Sequence, residues 1–135
     1  MRCSSGFCFG TLAFHIVDLP QCLAYTSCHL FAYYVQLYRG CSLVDIVESI
    51  GLINRDLDAV HLWSMVNKFK LNALKSNAIL IYDRDLSYNN LPSLKLGGEC
   101  IGYVSQVTNL GVTFNKTLTW DAHVCFYCSN LWYLA

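Results

Sequence analysis

Between residues 45 and 67 the apolar positions recur at spacings of four and three: Ile46, Ile50, Ile53, Leu57 and Val60. That period belongs to an α-helix with a single core-facing stripe. Asp45, Glu48, Ser49, Asn54, Arg55, Asp56 and Asp58 fill much of the remaining circumference. A one-sided helix of this length cannot hide its stripe alone, so it must lie against a second layer of structure. Ser42 followed by Asp45 approximates a capping box and predicts where the helix starts. Lys68 and Lys70 suit the carbonyl end of the helix dipole. Trp63 and Phe69 are expected to anchor that end onto a sheet. Gly51 is a weak point and a candidate bend.

The strands of that second layer are legible to different degrees. Residues 28–38 (Cys-His-Leu-Phe-Ala-Tyr-Tyr-Val-Gln-Leu-Tyr) are bulky and aromatic, which favours extended backbone. Two readings are open here: one buried strand, or two short strands with a tight turn near Ala32, Tyr33 and Tyr34. Asn77 to Tyr82 reads as a strand, and Asp83 to Pro92 as an exposed loop. Leu94 to Leu96, Gly97-Gly98 and Cys100 to Val104 form a hairpin pattern. Val107 to Phe114 is expected to be one strand, bent at Gly111. Asn115 to Asp121 reads as a turn capping a last helix from near Trp120. Near the start, Leu12 to Val17 fits either a helix or a strand, with Asp18 and Pro20 as its exit. The expected fold class is α+β, with helices packed on a largely antiparallel sheet.

A chain of 135 residues supports one domain with a real core. It is 55% apolar, 13% charged and formally neutral. Neutrality removes bulk electrostatic attraction to nucleic acid and predicts low solubility. No run of eighteen apolar residues exists to make a membrane helix. Arg2 and the apolar stretch Phe7 to Val17 loosely follow a signal-peptide plan. His15 interrupts that stretch and no small-x-small site follows, so the reading favours an intracellular protein over a secreted one. The eight cysteines are irregularly spaced, and free buried thiols are preferred to a disulfide framework. His123, Cys125 and Cys128 could form half of a zinc site, completed only by Cys3 and Cys8 at the other end of the chain. Aromatic neighbours make core the preferred reading there. Asn115-Lys116-Thr117 matches the glycosylation pattern, to which little weight is given. Gly6 and Gly10 do not make a phosphate loop, because no lysine followed by Ser or Thr accompanies them. The chain ends in uncapped apolar sequence, which suggests a fragment.

Four segments, in order, carry a family resemblance. Phe9-Gly10-Thr11-Leu12-Ala13-Phe14 precedes Ile16-Val17-Asp18-Leu19-Pro20. Phe31-Ala32-Tyr33-Tyr34 precedes Val35-Gln36-Leu37-Tyr38. Leu52 to Leu74 contains Asp56-Leu57, Trp63 and Leu71-Asn72, followed by Lys75 and Ser76. Val107-Thr108-Asn109-Leu110-Gly111-Val112 leads to Leu118-Thr119-Trp120-Asp121-Ala122-His123-Val124. Together these resemble the reverse transcriptase (RNA-directed DNA polymerase) domain of non-LTR retrotransposons, in its palm and the start of its thumb. The resemblance spans roughly residues 6 to 124 and implies a partial palm at 1–115 and a truncated thumb-like helix at 116–135. It also implies that Gly10 and Lys75 lie on the nucleic-acid side, with an RNA or DNA template-primer as partner of the intact family and no membrane.

The chain departs from the family at the residues that matter most. The resemblance places the metal-binding aspartate pair of a Tyr-Ala-Asp-Asp hairpin at Tyr33 and Tyr34. Val17 replaces an asparagine, Ala73 a proline and Ser76 a threonine. Nucleotide addition in the intact family uses two Mg²⁺ ions, which want hard carboxylate oxygens. A tyrosine hydroxyl, with an ordinary pKa near ~10, is a poor ligand for Mg²⁺ at neutral pH. The third carboxylate belongs to an earlier palm strand, and it and the fingers fall before residue 1. The expectation is a degenerate, catalytically inactive fragment that needs no cofactor. The runner-up is the family activity that the resemblance implies, an RNA-directed DNA polymerase component transferring nucleotides onto a primer. Two alternatives from other classes are a residual nucleic-acid-binding module, with Tyr33 and Tyr34 stacking on bases, and a small cysteine-rich secreted or metal-stabilised protein.

Overall fold

A computed structural model describes residues 3–7, 9–10, 16–31, 34–82, 88–109, 111–119 and 121. The stripe from Ile46 to Val60 does form a helix, α1, running from Ile46 to Val66 without interruption at Gly51. All five stripe residues are buried, Leu57 completely. Each large apolar side chain buried in this way contributes about 1.5–3 kcal/mol.

The start of α1 differs from the expected capping box. Asp45 is the cap residue, and its side chain makes no bond to the helix amides. Ser42 Oγ instead donates to Asp45 Oδ2 at 2.5 Å. A box at Ser42 needs Asp45 as the third helical residue, but the helix starts only at Ile46, which leaves Asp45 outside it as the cap. The far end is a Schellman motif: the Phe69 amide donates to the Ser64 carbonyl at 2.8 Å, and that of Lys68 to the Met65 carbonyl at 3.2 Å. Lys68 adopts φ +60 there, a position usually given to glycine. Phe69 stacks on Trp63 with ring centroids 5.3 Å apart, the apolar contact that commonly closes this motif.

Ten strands accompany this helix among the described residues. β1 (Cys3–Phe7), β2 (Phe9–Gly10), β3 (Ser27–Phe31), β4 (Tyr34–Tyr38) and β5 (Gly40–Cys41) precede it. β6 (Asn77–Ile81), β7 (Leu94–Leu96), β8 (Glu99–Tyr103), β9 (Gln106–Asn109) and β10 (Val112–Asn115) follow. One sheet has the order β5-β1-β6-β8-β7, a second β2-β4-β3, and β9 pairs with β10. The fold is α+β. Six of the seven strand pairings among the described residues are antiparallel; the seventh, between β6 and β8, is parallel and makes the five-stranded sheet mixed. The connection after β6 reverses the chain once, and the turn at Gly97-Gly98 reverses it again. β8 therefore returns to the direction of β6.

One hairpin matches its sequence pattern, and a second decides between the two open readings of residues 28–38. Leu96 pairs with Glu99 across Gly97 and Gly98, both at positive φ, as a tight two-residue turn requires. Phe31 pairs with Tyr34, so the 28–38 stretch is two strands rather than one, joined by residues 32–33. Two other readings are corrected. Residues 106–115 are a hairpin and not a bent strand, since Asn109 pairs with Val112 and Gly111 takes φ +80 to make the turn. Ile16–Cys22, read as containing the exit from an element, is a 3-10 helix in its own right, with Pro20 inside it.

The core joins α1 to both larger sheets. Val35 and Leu37 of β4, Ala78 and Leu80 of β6, Leu94 and Leu96 of β7 and Ile101 of β8 meet the helix stripe. Leu19 of the 3-10 helix closes one side. Val44, Val66 and Leu74 are exposed apolar side chains, Leu74 at 90%. No described helix is long and apolar enough to cross a membrane. Cys22, Cys28, Cys41 and Cys100 are free thiols. Asn115 organises the turn read between residues 115 and 121, its Oδ1 accepting from the Thr119 amide at 2.9 Å. The expected terminal helix beyond Asp121, with the candidate zinc residues His123, Cys125 and Cys128, lies outside the described residues.

Candidate functional site

Alternation along β4 buries Val35 and Leu37 and turns Tyr34, Gln36 and Tyr38 to the other face. Tyr34 opens this strand and is 43% exposed. Directly opposite it on β2 stands Gly10. Gly10 has no side chain, so nothing from that position covers the Tyr34 ring. On the other side, His29 of β3 pairs with Gln36. The His29 ring stacks on Tyr38 with centroids 5.0 Å apart and planes 17° from parallel. The result is a small sheet face of aromatic and neutral polar groups.

The 3-10 turn Ala73–Lys75 lies against β2. Asn72 Oδ1 accepts from the Lys75 amide at 3.3 Å, and Ser76 Oγ donates to the Asn72 carbonyl at 2.9 Å. Ala73 is buried and Lys75 exposed. The sequence-predicted residues Gly10, Tyr34 and Lys75 thus fall on neighbouring elements, Gly10 and Tyr34 as direct partners. Tyr33 lies outside the described residues.

Tyr34 offers a phenol at the position where the resemblance implies a metal-binding carboxylate. Asp18 is exposed on the 3-10 helix, and Asp45 is bonded to Ser42. Among the described residues, no three His, Cys, Asp or Glu side chains gather as a metal site. The donor set at Tyr34 does not fit Mg²⁺, which takes hard anionic oxygens.

The most fully engaged carboxylate belongs to a residue first placed on the polar side of the helix. Asp56 is 2% exposed. Its Oδ1 accepts from the Ala24 amide at 3.0 Å. Its Oδ2 accepts from the amides of Tyr25 at 2.9 Å and Thr26 at 2.7 Å, and from Thr26 Oγ1 at 2.7 Å. Hydrogen bonds to an ionised acceptor are the strong kind, which makes burial of this charge tolerable. Position 56 lies three after Ile53 and four before Val60, and that angular placement was the signal for burial. Nearby, the Arg55 guanidinium sits 6.0 Å over the Tyr25 ring, and Arg39 Nη1 donates to the Tyr25 carbonyl at 2.5 Å.

A cleft of about 220 Å³ opens at the end of α1, lined among others by His61, Phe69, Lys70, Gly97 and Glu99. It lies below the ~300 Å³ at which small-molecule sites usually begin. Cys28 and Tyr103 carry displaced acidities. Burial raises the Cys28 thiol and pushes Tyr103 up to about 12.

Compared with protein-family models, curated proteins and solved structures, the chain matches none.

Proposed function

We propose that this chain is a degenerate fragment of a non-LTR retrotransposon reverse transcriptase, covering part of the palm and lacking catalysis of its own. One observation carries the reading. β3 and β4 form an antiparallel hairpin with a two-residue connection, and Tyr34 begins the return strand. The resemblance implies an aspartate pair at that tip, and this chain has tyrosines at both positions. The pairing of Gly10 with Tyr34 further supports it, since the resemblance implies nucleic-acid contact at the first and chemistry at the second. The activity of the intact family is RNA-directed DNA polymerisation, and a phenol pair cannot replace the carboxylates it uses.

The test is primer extension on an RNA or DNA template with Mg²⁺ or Mn²⁺. No extension above a mock preparation is expected. None is expected either after Tyr33→Asp with Tyr34→Asp, because among the described residues no three His, Cys, Asp or Glu side chains gather to complete a two-metal site. Robust extension by either protein refutes the reading.

The aromatic face of β4 favours a second reading, a residual single-strand nucleic-acid module. Base stacking on exposed aromatics is worth about 1–3 kcal/mol per base. Formal neutrality weighs against it, since such surfaces are usually basic. A fluorescence titration with single-stranded oligonucleotide at low and moderate salt separates the two. Binding that weakens on Tyr34→Ala supports the module, and absence of binding removes it.

A further inference from the structure

We infer that residues 24–26 form a carboxylate-binding nest, and that Asp56 is the tethered anion filling it. Three successive backbone amides point at one side chain, an arrangement that makes an anion-binding concavity in many proteins. Thr26 Oγ1 adds a fourth donor. The four donor distances lie between 2.7 and 3.0 Å. All are within the range of sound hydrogen bonds. The acceptor is itself almost wholly removed from solvent.

The donors belong to the chain between the 3-10 helix and β3, and the acceptor to the middle of α1. The nest therefore fastens the entrance of the β3–β4 hairpin to the helix. What it recognises is a planar anion with two acceptor oxygens; nothing in four N–H and O–H donors requires that the anion be attached to position 56. Removing the side chain leaves the donors in place around a space the size of the lost carboxylate, and formate has that charge and shape. An asparagine does not substitute. Its amide nitrogen would face backbone donors and leave at least one of them unsatisfied. This inference is independent of whether the chain ever carried polymerase chemistry.

The experiment measures thermal unfolding of the wild-type chain, Asp56→Ala and Asp56→Asn in sodium formate and in sodium chloride at matched ionic strength. Asp56→Ala is expected to gain stability saturably with formate. At a formate concentration a hundredfold above its dissociation constant, the unfolding equilibrium shifts by about a hundredfold. The wild-type chain, whose nest is filled, and Asp56→Asn, whose space is occupied, should respond to formate and chloride alike. A further substitution, Thr26→Val, should weaken the formate response of Asp56→Ala. Equal effects of formate and chloride on Asp56→Ala overturn the inference, as does a formate response of the same size in the wild-type chain. If Asp56→Ala is unfolded in chloride, the same titration reads refolding. Recovery of the native circular dichroism in formate alone then supports the nest, and no formate-specific recovery overturns it.

Discussion

Substituting Gly97 by alanine tests the contact between α1 and the β7–β8 turn. Gly97 has φ +60, and a Cβ built on it would lie 2.7 Å from His61 Cε1 and 2.9 Å from Nδ1. The cost has two parts. Left-handed backbone costs a residue with a Cβ about 1–2 kcal/mol. The overlap with the imidazole adds about 1 kcal/mol, the low end for overpacking. The low end applies because the ring borders the open cleft and can swing into it. Gly97→Ala should therefore lose about 2–3 kcal/mol in urea unfolding followed by circular dichroism. In a His61→Ala background only the backbone part remains, so the double-mutant cycle should show about 1 kcal/mol of coupling. Gly98→Ala is an internal control: its φ is +89, but nothing lies within 4 Å of the added carbon. It should show the backbone cost with no dependence on His61. Strict additivity of Gly97→Ala and His61→Ala refutes the placement of the ring, and a neutral Gly97→Ala refutes the left-handed turn.

Three other perturbations follow from local geometry. Lys68→Gly should stabilise the chain by about 0.5–1 kcal/mol, since Lys68 holds φ +60 at the end of α1, and a loss of stability in urea would count against the Schellman motif. Gly51→Ala should also stabilise, by about 0.5–1 kcal/mol, because the position is helical and nothing lies within 4 Å of an added Cβ; a lowered melting temperature would contradict an unbent helix there. Tyr103 ordinarily ionises near 10 and is pushed up to about 12 by burial, while its hydroxyl donates to the Pro92 carbonyl at 2.8 Å. Between these values the unfolded chain loses the proton and the folded chain keeps it, so stability should fall as pH rises from 10 towards 12. Tyr103→Phe should flatten that fall, and a slope equal to that of the wild-type chain would refute the assignment.

What the sequence shows and what it hides divide along a physical line. The helix was legible because five apolar residues repeat at helical spacing, a local and redundant signal. The Gly97-Gly98 hairpin was legible because its turn needs two positive φ angles, and glycine supplies them most cheaply. Residues 106–115 read as one strand because Val107, Thr108, Val112 and Thr113 favour extended backbone on both sides of a single glycine. The parallel pairing of β6 with β8 is a choice between distant segments, which no local pattern encodes. Asp56 reads as a surface residue because charged residues are rarely fully buried unless paired. Its partners are backbone amides some thirty residues away, and amides leave no mark in a sequence. The facing of Gly10 and Tyr34 was not legible at all, since neither position carries a pairing signal of its own and the resemblance implies only a separate role for each.

The place of β1 has a consequence for how the molecule comes to exist. It comes before the other described strands, yet it lies inside the five-stranded sheet, between β5 and β6. During synthesis it leaves the ribosome ahead of both strands it pairs with. One neighbour follows with Gly40 and the other only with Asn77. Sheets built from such distant pairings assemble slowly and keep hydrogen-bonding edges open to other chains meanwhile. A sheet that loses an outer strand keeps one body and gains one new edge. Losing β1 would instead divide this one, leaving β5 alone on one side and β6, β8 and β7 on the other.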